Sequence, residues 1–159
     1  MTRVTPAPTD VSPSALRRQL ARWPTGVAVV TAGDLTHPLG KTVNSFHSTS
    51  LDPPLVGWCI DRRSSQFGDW MAAGGYVVHV LAHDQASLMK HFATTPATDR
   101  FGGTDWTPGL DGMPVLAEPV PVRLECRVTR RLPAGDHVYL IGRVVTMTAA
   151  DATPMSLPH

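Results

Sequence analysis

Two long stretches of strand character, VPVRLECRVTRRL (120–132) and HVYLIGRVVTMTA (137–149), are separated only by the tight turn PAGD. This gap restricts the fold more than any other feature. Parallel neighbours need a crossover of roughly a dozen residues or more, whereas a tight turn joins antiparallel ones. The shortness recurs upstream, where the β-branched run GVAVVTA (26–32), the apolar run LVGWCI (55–60) and YVVHVL (76–81) all read as strands. At least six strands alternate with three helices, and most connections are too short to hold a helix. The pattern does not fit a doubly wound parallel sheet. It predicts a mainly β fold, an antiparallel barrel with a few peripheral helices.

The helices are marked by their ends. Ser12-Pro13 reads as an N-cap followed by proline at the first helical position. Leu16, Leu20 and Trp23 recur at helical spacing, which predicts one face packed on the core, and Pro24 ends the helix. A second helix is expected from Ser64 or Ser65 to Ala73, and a third runs from an Asp84 cap through Phe92. Residues 93–114 read as a long connection, of a length often found in functional loops and lids. Residues 1–11 are rich in Pro and Thr and read as a loose tail, leaving 12–159 as the domain.

Composition removes several classes of function. A chain of 159 residues fits one domain, able to bury about 70% of its unfolded surface. A net charge of +1 argues against nucleic-acid binding. No apolar run approaches the roughly 20 residues of a membrane span. MTRVTPAPTDVSPS lacks the apolar segment of a signal peptide, so a cytoplasmic protein is expected. Cys59 and Cys126 sit in apolar strand patterns without a CxxC and read as buried free thiols. His79 and His83 fall on a strand end and its following turn, so no metal site is expected. No glycine-rich dinucleotide loop, phosphate-loop lysine, nucleophile elbow or paired carboxylates appear.

The stretch TVNSFHSTSLDPP (42–54) is the exception to ordinary strand patterning. Thr42, Asn44, Ser48 and Ser50 alternate with Ser45, His47 and Thr49, so both faces are polar and Phe46 is the only apolar member of its face. Neutral donors and acceptors along an extended backbone suit a flat ring with a polar edge, such as a flavin. In DRRSSQF (61–67), two arginines and two serines at an expected helix start suit its phosphate.

Taken in order, RWPTGVAVVTA, GKTVNSFHSTSLDPPLVGWCI, RRSSQF, GGYVVHVLAHDQASLMKHFA, DRFGG and LECRVTRRLPAGDHVYLIGRV resemble the flavin reductase-like family. These are short-chain NAD(P)H:flavin oxidoreductases with a Greek-key, FMN-binding split β-barrel. The resemblance runs from about residue 14 to 147. It implies flavin contacts from Thr42, Asn44, Ser45, Phe46, Ser48 and Ser50, and a phosphate-side segment at Arg63, Ser64 and Ser65. Arg100 and Phe101 are implied to approach the phosphate or adenylate. Gly135, Asp136 and His137 are implied beside flavin and nicotinamide, with His137 acting in the hydride-transfer complex and Asp136 orienting it.

The resemblance also implies a homodimer using FMN or FAD with NADH or NADPH, supplying reduced flavin to a partner monooxygenase. The alternatives are a flavin-binding protein without reductase turnover, and an FMN-dependent enzyme or oxygenase subunit. Two departures shape the expectation. His47 stands where the family more often has Ser or Thr, and a Tyr/Arg/Gly-rich segment usual after the last strand is not found in DATPMSLPH. The first implies a different contact at the flavin edge, and the second favours flavin as a diffusing substrate over a tightly held group.

Overall fold

The computed structural model describes residues 7–157. Its elements run α1 (Pro13–Leu20), β1 (Thr25–Gly26), β2 (Ala28–Gly33), β3 (Pro38–Val43), β4 (His47–Ser50) and β5 (Leu55–Asp61). There follow α2 (Phe67–Ala72), β6 (Gly75–Val80), α3 (Ala86–Thr94), β7 (Trp106–Pro108), β8 (Pro114–Leu116), β9 (Val122–Ala134), β10 (His137–Ala149) and β11 (Ser156–Leu157). Seven strands form one antiparallel sheet in the order β3-β2-β6-β9-β10-β5-β4. Its two edge strands, β3 and β4, are consecutive in sequence and joined by residues 44–46 alone. Flat, those edges would lie about 29 Å apart, at six strand spacings. The connector spans at most roughly 14 Å. The sheet must therefore curl until its edges approach, leaving a seam between them.

The central hairpin matches the sequence pattern closely. β9 and β10 pair from end to end, and Ala134 opposite His137 leaves Gly135-Asp136 as the turn. Gly135 has φ +62°, a conformation that suits glycine. The run GVAVVTA shows no polar alternation because Ala28 to Ala32 of β2 are all buried, Thr31 included. Ala28 and Val30 join a core with Trp58, Trp70 and Tyr76. Val27 and Val29 join a second core with Leu81, Phe92 and Leu116. In the first, Trp58 meets Trp70 and Tyr76 edge to face, with centroids 5.2 and 6.0 Å apart.

Several expectations need correction. Ser12 caps α1 as predicted, its hydroxyl accepting from the Ala15 amide. The face expected to pack on the core does not: Ala15 is buried, whereas Leu16, Leu20 and Trp23 are 46%, 61% and 72% exposed. The helix also stops at Leu20, ahead of Pro24. α2 starts at Phe67, because Gln66 adopts a left-handed conformation (φ 61°) that a helix cannot include. α3 starts after Gln85, not Asp84. The Gln85 side chain accepts from the Ala82 amide and donates to the Pro119 carbonyl, which sets that boundary.

The long connection 93–114 holds structure of its own. Two short 3-10 turns and β7 occupy its length, and β7 pairs with β8. β8 is pinned to the sheet by tertiary bonds: Leu116 N–H donates to His79 Nε2 at 3.1 Å, and the Thr31 hydroxyl donates to the Pro114 carbonyl. The predicted tail falls partly on residues 1–6, outside the described residues. Residues 7–11 carry no regular element. Among the described residues no group of His, Cys, Asp and Glu is arranged to hold a metal, and no helix is long and apolar enough to cross a membrane.

Candidate active site

The seam is where strand pairing runs out. β4 pairs with β5 only at Leu55 to Gly57, so the β5 edge beyond them lacks a strand partner on that side. Ser45 takes over from the missing strand. Its hydroxyl accepts from the Cys59 amide at 3.0 Å and donates to the Cys59 carbonyl at 3.3 Å. Beside this contact lies a cleft of about 170 Å³. β3 and the connector contribute Lys41 to Ser45, β5 contributes Cys59 and Asp61, and β10 contributes His137. The register places His137 directly opposite Asp61.

The cleft gathers four of the predicted residues: Thr42, Asn44, Ser45 and His137. Thr42 also has a scaffold role, because its hydroxyl donates to the Met89 carbonyl at 2.7 Å and ties β3 to α3. His137 Nδ1 bonds Asp136 Oδ1 at 2.7 Å. That bond fixes the ring and holds the Asp136 carboxyl below the usual carboxylate range. Arg62 steadies the turn, its amide donating to Asp136 O and its Nε to Gly135 O.

The remaining predicted residues lie outside the lining. Phe46 packs on the first core. Ser48 and Ser50 are on β4, opposite Val56 and Leu55. Ser64 and Ser65 form the turn before α2. Phe101 stacks edge to face between Phe92 and Trp106. Arg63 closes on Asp61 through Nη2 at 3.0 Å and Nε at 3.2 Å. Hydrogen bonds from the Arg63 side chain and amide hold the Asp61 carboxyl at about 2.

Four lining residues were missed by sequence reasoning: Lys41, Val43, Cys59 and Asp61. Cys59 reads as fully buried from its apolar run but is half-buried, and burial raises its thiol pKa. Lys41 directly precedes the polar strand, which was the only signal available. Its ammonium is half-buried, and burial first, then Arg100, pushes its pKa down. Arg100 is half-buried too and donates only to carbonyls, those of Gly40 at 2.7 Å and Thr95 at 2.9 Å. Among the described residues neither cation has a carboxylate within 4.0 Å. Asp61, the acid of the cleft, is already neutralised by Arg63. Asp61 offsets only part of the depression at Lys41, and partly compensated positive charge at a half-desolvated site favours an anionic ligand.

A larger cavity of about 550 Å³ lies beyond α3, with Asp84, Asp105 and Glu118 in its wall. Three carboxylates repel a phosphate, so size alone does not make it the better nucleotide site.

Residues 20–157 match the family described as Flavin reductase like domain. The chain belongs to this family. It is 42% identical over 133 residues to a probable flavin reductase of Rhizobium meliloti, covering 83% of this chain and 42% of that protein. It is 37% identical over 139 residues to the stachydrine N-demethylase reductase subunit of the same organism, covering 87% of this chain and 60% of that one. The chain thus spans about half the length of these two relatives. Among solved structures, the NADH:FAD oxidoreductase of Streptomyces globisporus, in complex with NAD and FAD fragments, superposes with a TM-score of 0.84. Identity to that flavin reductase is 35%, over 94% of this chain and 92% of its own.

Proposed function

We propose that this family member is an NAD(P)H-dependent flavin reductase that supplies reduced FMN or FAD to a partner monooxygenase. The observation that carries the reading is the seam cleft, where polar backbone and side chains meet the half-buried Lys41, with Arg100 anchored on the neighbouring Gly40 carbonyl. When bound, the nucleotides supply the redox chemistry, hydride passing from nicotinamide C4 to flavin N5. The chain's own work is to bind, orient and keep water from one face. Asn44 and the backbone of residues 41–45 address the polar edge of the ring. Lys41 and Arg100 attract the phosphate, with Arg63, Ser64 and Ser65 at the outer end. His137, oriented by Asp136, faces the nicotinamide.

The reading of residues 12–159 as one split β-barrel domain is supported by the curled sheet and its seam. The homodimer is supported by cleft size. At about 170 Å³ it is smaller than the roughly 300–1,000 Å³ typical of sites for ligands of this class. Much of a flavin nucleotide would lie on an open face that a second copy can cover. Exposed apolar residues are available for that contact: Leu20 at the end of α1, Trp23 shortly after it, and Met147, 74% exposed, on β10. The relative named as the reductase subunit of a stachydrine N-demethylase supports the monooxygenase partner.

The deciding assay is NADH and NADPH oxidation by purified protein, with and without added FMN, FAD or riboflavin. Oxidation that requires added flavin supports the reductase. Flavin binding with no oxidation of either nicotinamide supports a flavin carrier or oxygenase subunit instead.

A further inference from the structure

Tyr139 and His47 form a hydrogen-bonded brace whose direction can be derived. His47 Nδ1 lies 2.9 Å from the Ser45 carbonyl oxygen, which can only accept, so Nδ1 carries the proton. In the neutral ring Nε2 is then an acceptor, so the Tyr139 hydroxyl, 2.8 Å away, donates to it. Tyr139 Oη in turn accepts from the Thr49 hydroxyl at 2.8 Å. The imidazole and phenol lie nearly parallel, at 6° with centroids 5.3 Å apart. The phenol reaches β4 by crossing β5 at Gly57, where a Cβ would stand 2.3 Å from Tyr139 Oη.

The far end of the brace is the connector 44–46. Ser45 receives His47 on its carbonyl and holds Cys59 with its hydroxyl, so one residue joins the brace to the wall of the cleft. Neither His47 nor Tyr139 lines the cleft. The side-chain bonds of the brace are solvent-exposed. Exposed bonds of this kind contribute little to global stability, so their consequence is local.

We propose that Tyr139 and His47 are positioning residues, which hold Asn44 and Ser45 at the angle the cleft's occupant requires without touching it. The choice of FMN as probe rests on the flavin reading; the brace itself does not.

The experiment measures FMN affinity by flavin fluorescence, amide exchange at Cys59 by NMR, and steady-state kinetics on the full chain. Tyr139→Phe and His47→Ala are expected to weaken FMN roughly three- to tenfold, the range set by losing one hydrogen bond. Cys59 amide exchange should quicken by a similar factor, with kcat, KM for NADH and melting temperature nearly unchanged. His47→Asn can place an amide N–H where Nδ1–H stood and should restore both affinity and exchange. Unchanged Cys59 exchange in Tyr139→Phe and His47→Ala overturns the proposal, whether or not affinity falls. So does failure of His47→Asn to outperform His47→Ala. If wild-type protein binds no flavin, the functional reading fails, and the exchange data still decide the brace.

Discussion

His79 and His137 stand on strands of the same sheet, and their surroundings have almost nothing in common. His79 is fully buried near the end of β6, an interior strand of the sheet. Its Nδ1 donates to the Val29 carbonyl at 3.1 Å and its Nε2 accepts from Leu116, so no nitrogen is left for a ligand. His137 is at the seam, with a side chain 39% exposed and only Nδ1 engaged. Its other nitrogen remains available at the cleft. One histidine holds layers together and the other can meet a substrate. Satisfied polar groups in the sheet centre give rigidity, while unsatisfied groups where pairing stops give a site.

Damage to the centre should dominate stability. Trp58→Ala removes a fully buried ring from between Trp70 and Tyr76 and should cost about 3–5 kcal/mol. Urea denaturation would show this, and a loss below 1 kcal/mol would mean that the core collapses around the gap.

His79 should make stability acid-sensitive. Burial depresses its folded-state pKa from 6.5 to about 4. Below pH 6.5 the unfolded chain takes up a proton that the native chain refuses. The stabilisation is therefore complete above pH 6.5, declines as pH falls, and is gone below about 4. The difference amounts to about 3 kcal/mol. His79→Gln should remove this part of the pH–stability curve, and an unaltered curve would assign the acid sensitivity elsewhere.

At the seam the effects should appear in binding. Lys41→Met should weaken FMN about tenfold or more, as expected for one charged hydrogen bond, and leave riboflavin nearly unchanged. Arg63→Ala should do less, because that guanidinium is 78% exposed and already occupied by Asp61. Equal losses for FMN and riboflavin in Lys41→Met would make Lys41 a support of the fold, and the contrast between regions would blur.

The smallest change in stability should come from His137→Ala. Turnover should fall and KM for NAD(P)H rise, while flavin affinity and melting temperature hold. A pH–rate profile of the same shape at lower rate indicates positioning, and loss of one limb indicates a charge role. Full activity at limiting and saturating nicotinamide would leave His137 as a strand residue after a turn.

Much of this was legible in the chain itself. Strand lengths and the short link between β9 and β10 dictate antiparallel pairing, because covalent reach is local and carries over from sequence unchanged. The two-faced polarity of 42–50 marked the seam for the same reason: no ordinary strand position needs hydroxyls on both sides. The residues that complete the cleft depend on distant neighbours. Asp61 meets His137 through the β5–β10 register, and Lys41 feels the charge of Arg100 because Arg100 docks on the Gly40 carbonyl. Whether an arginine is free or spent is likewise a tertiary matter, and Arg63, the obvious phosphate residue by sequence, is closed on Asp61. The apolar stripe of α1 shows the limit from the other side. Periodicity states which residues share a face, but only the packed structure decides whether anything covers it, and here Leu16, Leu20 and Trp23 stay exposed.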